Sequence, residues 1–390
     1  MHPVDKEKNK RLAVLLESLT IPRSHYEKAV ERYESLGNWL HREQSSVAEF
    51  GPEVSPQGSF RLGLVIPPLF VNDPYDLDLV CQLLLLKTSI SQKELKELIG
   101  SEIKLYAKAH GFKKPAKEKR RCWRLNYSDT VSFHLDILPA IPEDETTNKL
   151  LVHAGAPAHL VEFAVSITDN TEVLYAVITN DWPCSNPRGF AKWFEEIIEP
   201  VSKTRRESLV RKAEYASIDQ VPAYDWDTPL QLVIRIMKRH RDIMFREKQD
   251  VKPISMIITT LAAHAYDSED NLEAALANVL QRMPDHINDA SPRVPNPTNQ
   301  GEDFADKWKE KPELEANFRL WHQRVTADLQ ALLNSDSFDE ISDILKRRFG
   351  VTLSDEQARE IRGTIKGQAP RAAPSVHITR EAPQPWRRED

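Results

Sequence analysis

Cysteine is scarce in this chain, and its scarcity excludes two classes of protein. Cys81, Cys122 and Cys184 are the only three in 390 residues, and no two form a CxxC pair. They supply neither a disulfide framework nor a zinc site, and they suit a reducing compartment. Long apolar runs are also missing. Stretches such as Leu83 to Leu86 fall far short of the roughly 20 residues that a membrane-spanning helix requires. The opening MHPVDKEKNKR is polar where a secretory leader needs an apolar run. The expectation is a soluble, cytoplasmic protein with no membrane partner. Excess positive charge is absent too. A formal net charge of -6 argues against a dedicated duplex-DNA binder, although a local basic cleft is compatible with an acidic whole. There is no internal repeat.

The chain divides by composition. Residues from about 6 to 48 read as helical, with Ala13, Leu15, Leu16 and Leu19 forming one apolar stripe that Pro22 interrupts. Gly51 to Ser59 is rich in Gly, Pro and Ser, and Asp73-Pro74 reads as a turn into a strand. A helix is expected from Gln92 to His110. Cys122 to Tyr127 and Thr130 to Leu138 then read as an antiparallel pair. This alternation predicts an α+β fold with a small mixed sheet backed by helices. After about residue 200 the pattern becomes helical. Thr228 is placed to cap a helix whose first position is Pro229, and a second apolar helix runs from Ser255 to Tyr266. Residues 286 to 301 read as loop, followed by a helix from Leu314 to Leu333 and shorter ones near 338–348 and 355–364. The expected division is a catalytic lobe over 1–200, a helical lobe over 201–366 and a flexible tail over 367–390 that offers a docking segment for an accessory protein.

Two short segments carry the chemistry. Gln57-Gly58-Ser59-Phe60-Arg61 is followed by Tyr75-Asp76-Leu77-Asp78-Leu79-Val80, and Phe133-His134-Leu135-Asp136-Ile137-Leu138-Pro139 comes later. Side chains alternate along a strand, so Asp76 and Asp78 share one face while Tyr75, Leu77 and Leu79 take the other. Asp136 faces away from Val131, Phe133, Leu135 and Ile137 by the same rule. If the two strands are neighbours, three carboxylates converge and require cations between them. Oxygen ligands of this kind suit Mg²⁺ or Mn²⁺, and paired ions can align a hydroxyl with a phosphoryl group. Gly58 allows backbone amides to approach phosphates, and Ser59 adds a hydroxyl. Asp76 and Asp78 are therefore expected to hold the ion on a triphosphate, and Asp136 the ion nearer an acceptor hydroxyl, which it orients or deprotonates. Gln57, Gly58, Ser59 and Arg61 are the candidate nucleotide- and phosphate-binding residues. For Arg61 an ordinary surface salt bridge is an equal alternative, and for His134 a solvated or supporting role is favoured. Nine Lys or Arg lie between Lys104 and Arg124, a run that reads first as a solvated face.

The chain resembles the bacterial cGAS/DncV-like nucleotidyltransferases, cyclic-oligonucleotide synthases of the polymerase-β-type superfamily. The resemblance is carried by QGSFRLG at 57–63, YDLDLV at 75–80, FHLDILPA at 133–140 and ITNDWPCSNPRGFAKWF at 178–194. LQLVIRIMKRHRD at 230–242, KPIS at 252–255 and VPNPTNQGEDFADKW at 294–308 extend it over roughly residues 10 to 365. It implies a polymerase-β-like core packed against a mostly helical second lobe, with Mg²⁺ as cofactor and ribonucleoside triphosphates, ATP included, as substrates. The implied product is a cyclic di- or trinucleotide with at least one adenine, made in antiphage signalling to activate a separate effector, with no nucleic-acid activator expected. Lys238 is implied as a phosphate contact and Ser255 as a weaker one. Tyr224, Trp226 and Tyr266 are candidates to stack on a base or to pack in the core. Leu64 stands where many relatives have threonine, and Pro67-Pro68 interrupts the loop to Asp76, which unsettles a subgroup assignment more than catalysis. The alternatives are a related transferase that adds nucleotides to an RNA or protein acceptor, and a non-catalytic nucleotide-binding protein.

Overall fold

A computed structural model describes residues 3–70, 73–128, 131–210, 227–363 and 365. Tyr224, Trp226 and the tail from 367 lie outside the described residues. Seven strands form one sheet: β1 (Glu53–Gln57), β2 (Tyr75–Gln82), β3 (Lys117–Glu118), β4 (Trp123–Ser128), β5 (Ser132–Pro142), β6 (Val165–Ile167) and β7 (Cys184–Ser185). The order is β1-β2-β5-β4-β3, with β6 pairing the far end of β5 and β7 pairing β6. The β2–β5 pair is parallel and the other pairs are antiparallel, so the expected mixed sheet is present.

The alternation read along the strands sets what each face does. Leu77, Leu79, Leu125, Phe133, Leu135 and Ile137 are buried on one face. They pack against α2 (Arg23–His41) and α4 (Gln92–Ala109) through Ala29, Leu36, Leu40, Leu95, Ile99 and Ile103. Each large apolar side chain so buried contributes about 1.5–3 kcal/mol, which makes this back face the rigid support of the front one. Ser91 and Glu94 form a capping box that fixes where α4 begins.

A second core is helical. It gathers α1 (Pro3–Leu19), α7 (Pro187–Val210), α8 (Pro229–Met244), α9 (Ser255–Ala265), α10 (Leu272–Arg282), α11 (Pro312–Asn334), α12 (Phe338–Phe349) and α13 (Asp355–Arg362). Three short helices, α3 (Gly58–Arg61), α5 (Glu145–His153) and α6 (Ala158–Val161), serve the sheet side. Helix α8 is central, packing on α1, α9, α10, α11 and α12. It starts as its sequence predicts, with Thr228 as cap, Pro229 in the first turn and Gln231 completing a capping box. The two cores interleave along the chain. Leu12, Leu15 and Leu19 of α1 belong to the helical core, as do Leu62 and Leu64 after α3, whereas α2 belongs to the sheet.

The segment expected as loop over 286–301 differs. It contains β8 (Pro295–Asn296), paired with β9 (Asn299–Asp303). Asn296 Oδ1 accepts from Thr298 N and Oγ1, both at 3.0 Å, and so closes a tight hairpin that period-2 patterning is too short to reveal. Among the described residues, no helix is long and apolar enough to cross a membrane.

Candidate active site

The parallel pairing of β2 with β5 sets Asp78 opposite Asp136 and Asp76 opposite His134. All four side chains take the face opposite the buried Leu77 and Leu135. The expectation that the two strands are neighbours holds, and the register brings the carboxylates together. Burial, then the charges of Asp136 and Asp76, push the Asp78 carboxyl up to about 7, against the opposing pull of Arg124 and Lys238.

Arg124 answers part of that negative charge. It stands on β4 directly across from Asp136. Its Nε and Nη2 donate to the two carboxylate oxygens of Asp136, each at 2.6 Å, in the forked geometry that suits a guanidinium. Nη2 is also 3.9 Å from Asp76 Oδ1, and Nη1 is 3.3 Å from His134 Nδ1. Among the described residues, no three acidic, His or Cys side chains are drawn to one metal-binding point. The donor chemistry nonetheless fits divalent cations. Three carboxylates supply hard oxygen ligands, and a cation would offset both causes that raise Asp78, its burial first and then the charges of Asp136 and Asp76. Asp76, Asp78 and Asp136 are the residues able to hold such ions.

The glycine-serine turn lies directly over this pair. Gln57 ends β1 opposite Asp78, and the chain then enters α3. Gly58 has φ +66°, and a Cβ there would stand 2.4 Å from Asp78 Oδ2. Only glycine allows both the left-handed backbone and that approach. Ser59 Oγ accepts from Lys238 Nζ at 3.0 Å, and the same ammonium donates to the Leu64 carbonyl at 2.7 Å. Lys238 is pushed down to about 7, first by burial and then by Arg241.

Ser255 opens α9. Its Oγ accepts from Arg241 Nη1 at 2.7 Å, while Arg241 Nη2 and Lys252 reach Asp242 at 2.7 and 3.2 Å. Arg241 and Lys252 thus share the Asp242 carboxylate, and Ser255 is tied to them through Arg241. Arg61 ion-pairs with Glu195 on α7, and Tyr266 donates its hydroxyl to the Glu269 carbonyl at 2.6 Å from a buried position.

Arg124 was not singled out by sequence reading. The signal was its in-phase position on the strand preceding Asp136, hidden inside the basic run. Two neighbours in that run have structural partners, because Arg120 and Arg121 both bind the buried Asp169.

A mixed sheet with paired acidic strands under a glycine-serine turn, packed against helices, is the fold of the polymerase-β-type nucleotidyltransferases. Residues 52–139 match the nucleotidyltransferase-domain family described as cyclic GMP-AMP synthase DncV-like. A c-di-GMP synthase from Roseivirga ehrenbergii is 26% identical over 343 residues, covering 87% of this chain and 83% of that protein. The cyclic dinucleotide synthase CdnG from Bradyrhizobium diazoefficiens is 24% identical over 362 residues, covering 87% and 79%. The structure of the Bradyrhizobium diazoefficiens CD-NTase CdnG in complex with GTP aligns with a TM-score of 0.64 at 20% identity, over 91% of this chain and 98% of that one. Vibrio cholerae DncV in its apo form aligns with a TM-score of 0.53 at 16% identity, over 91% and 87%. The nucleotidyltransferase domain over residues 52–139 matches the DncV-like family, and over most of its length the chain is similar to cyclic dinucleotide synthases.

Proposed function

We propose that this enzyme joins two ribonucleoside triphosphates into a cyclic dinucleotide in a Mg²⁺-dependent reaction, releasing two pyrophosphates. The observation that carries the reading is the register of Asp78 against Asp136 beneath Gly58. Cyclic dinucleotide synthesis itself is supported by the two relatives that match most of the chain. The c-di-GMP synthase adds GTP to ATP among the proposed substrates.

Each residue has a part in the proposed step. A ribose hydroxyl oxygen attacks the α-phosphorus, the bond to the β-phosphate oxygen breaks, and pyrophosphate departs. A second transfer closes the ring. Asp76 and Asp78 would hold the divalent cations on the triphosphate side, and Asp136 orients the hydroxyl and takes its proton on a carboxylate oxygen. When bound, divalent cations polarise the phosphoryl group and acidify the attacking hydroxyl. Arg124 fixes the orientation of Asp136 through both of its oxygens. Gln57, Gly58 and Ser59 cradle the terminal phosphates, and Lys238 exchanges its bond to Ser59 for a phosphate oxygen. A lysine poised near 7 gains its full charge when an anion arrives beside it. Ser255, Arg241 and Lys252 extend the same basic rim, and Arg61 stiffens the turn through Glu195. The product serves as a signal to a separate effector in antiphage defence, a role that the family resemblance implies.

Pyrophosphate release from nucleotides alone tests this reading. The proposal predicts release with Mg²⁺ and no added acceptor. Release only after RNA or protein is supplied would identify a transferase to that acceptor, and none under any condition would leave a binding protein.

A further inference from the structure

Helix α8 turns one polar face toward the catalytic lobe, and that face does more than present Lys238. Gln231, Arg235, Lys238 and Arg239 fall on one stripe of a helix with 3.6 residues per turn. Each reaches a backbone carbonyl in the segment after the glycine-serine turn. Gln231 Nε2 donates to Leu62 O at 2.9 Å, and Arg235 Nε and Nη2 both donate to Gly63 O, at 3.0 and 2.7 Å. Lys238 donates to Leu64 O at 2.7 Å and Arg239 Nη2 to Pro67 O at 2.6 Å. The approach is close: Gly63 has φ +67°, and a Cβ there would stand 2.5 Å from Gln231 Nε2.

The segment needs such support. One turn of helix, α3, joins two left-handed glycines, and a four-residue helix cannot hold itself. Gln231 is built for the task. Its amide oxygen accepts from Thr228 N at 2.9 Å and from Thr228 Oγ1 at 3.0 Å, which caps α8, while its amide nitrogen holds Leu62. The side chain is 3% exposed, with both ends of the amide satisfied.

We propose that Gln231, assisted by Arg235, is a positioning residue for the phosphate-binding turn. It touches no nucleotide atom. It fixes Leu62 to Leu64 against α8, and so sets the spacing between Ser59, Lys238 and the Gly58–Asp78 contact. The inference rests on the reading of Gly58-Ser59 as the triphosphate site.

Gln231→Glu separates this role from general stability. Glutamate serves as well as glutamine in a capping box and suits the first turn of a helix, so α8 keeps its start. The donor to Leu62 is replaced by an acceptor that repels the carbonyl. The expected result is a KM for the triphosphate raised about ten-fold with kcat within about two-fold, as for lost ground-state binding. Amide exchange over 58–67 is faster in nucleotide-free protein, by more than the lower melting temperature expected of a buried carboxylate accounts for elsewhere in the fold. Gly63→Ala, which crowds the same contact from the other side, gives the same split. Should Gln231→Glu fail to fold, Arg235→Lys provides the second variant. It keeps the charge facing Asp227 but loses the fork on Gly63 O, and KM is expected to rise about three-fold. Unchanged exchange and unchanged KM in folded Gln231→Glu would overturn the proposal, as would equal losses in kcat and affinity. Faster exchange at 58–67 with unaltered nucleotide affinity would instead refute the phosphate reading of the turn.

Discussion

Replacing Gly58 by alanine probes the contact on which the active-site reading depends. Two penalties arise. The backbone is left-handed at φ +66°, which costs a non-glycine residue about 1–2 kcal/mol. The new Cβ also stands 2.4 Å from Asp78 Oδ2 and 3.2 Å from its Cγ, so turn and carboxylate must part by roughly 1 Å to reach ordinary contact. A misplacement of about 1 Å at a reacting centre costs about 100-fold in rate. Gly111→Ala separates the two penalties, because Gly111 has the same φ of +66° and nothing within 4 Å of its added Cβ. Gly111→Ala should lose about 1–2 kcal/mol of stability in thermal or urea unfolding, and Gly58→Ala more, because the clash adds to the backbone strain. Only Gly58→Ala should lose about 100-fold in the initial rate of pyrophosphate release, after correction for folded fraction. A Gly58→Ala enzyme with the rate of Gly111→Ala would refute the claim that Asp78 works beneath the turn.

Other perturbations have equally definite outcomes. Asp76→Asn with Asp78→Asn should abolish product formation while circular dichroism matches the parent and melting in chelator is no lower, since neither change opens a core cavity; near-parental synthesis in a metal-dependent assay would count against the carboxylate assignment. Asp136→Asn should lower kcat far more than triphosphate affinity measured by calorimetry, and equal losses would remove its assigned role at the acceptor hydroxyl. The Asp78 carboxyl is raised to about 7 from an ordinary value of 3.8, so the folded protein binds this proton more tightly than the unfolded chain. Its ionisation therefore costs stability that is absent below about pH 4, grows as pH rises and is complete above about pH 7. In chelator, Asp78→Asn should be more stable than the parent at pH 8 and indistinguishable at pH 4; Mg²⁺ at 100 times its dissociation constant should return about 2.7 kcal/mol to the parent alone.

The elements most legible in the sequence were those governed by local periodicity. Alternation in YDLDLV and FHLDIL separated the acidic face from the core face of β2 and β5, and Thr228-Pro229 marked the start of α8. What stayed hidden depends on contacts distant along the chain. Nothing local says that Asp78 aligns with Asp136 instead of with His134, because register comes from packing. Arg124 was lost among basic neighbours, since its partner is set by the β4–β5 pairing. Gln231 read as an ordinary first-turn residue, and its bond to Leu62 appears only when the two lobes are brought together. Arg61 occupies the turn as its position suggests, but its charge is directed to Glu195 from the helical side. The placement of α1 in the helical core follows from the break at Pro22, where apolar stripes on either side turn toward different cores.

Mass spectrometry of the products formed from the four ribonucleoside triphosphates with Mg²⁺ tests the central claim most directly. The account predicts a phosphatase-resistant species with the mass of a cyclic dinucleotide containing guanosine or adenosine, absent when Asp76 and Asp78 are both asparagine. A folded, nucleotide-consuming preparation that yields only linear, phosphatase-sensitive products, or the same cyclic product from the double variant, would contradict it.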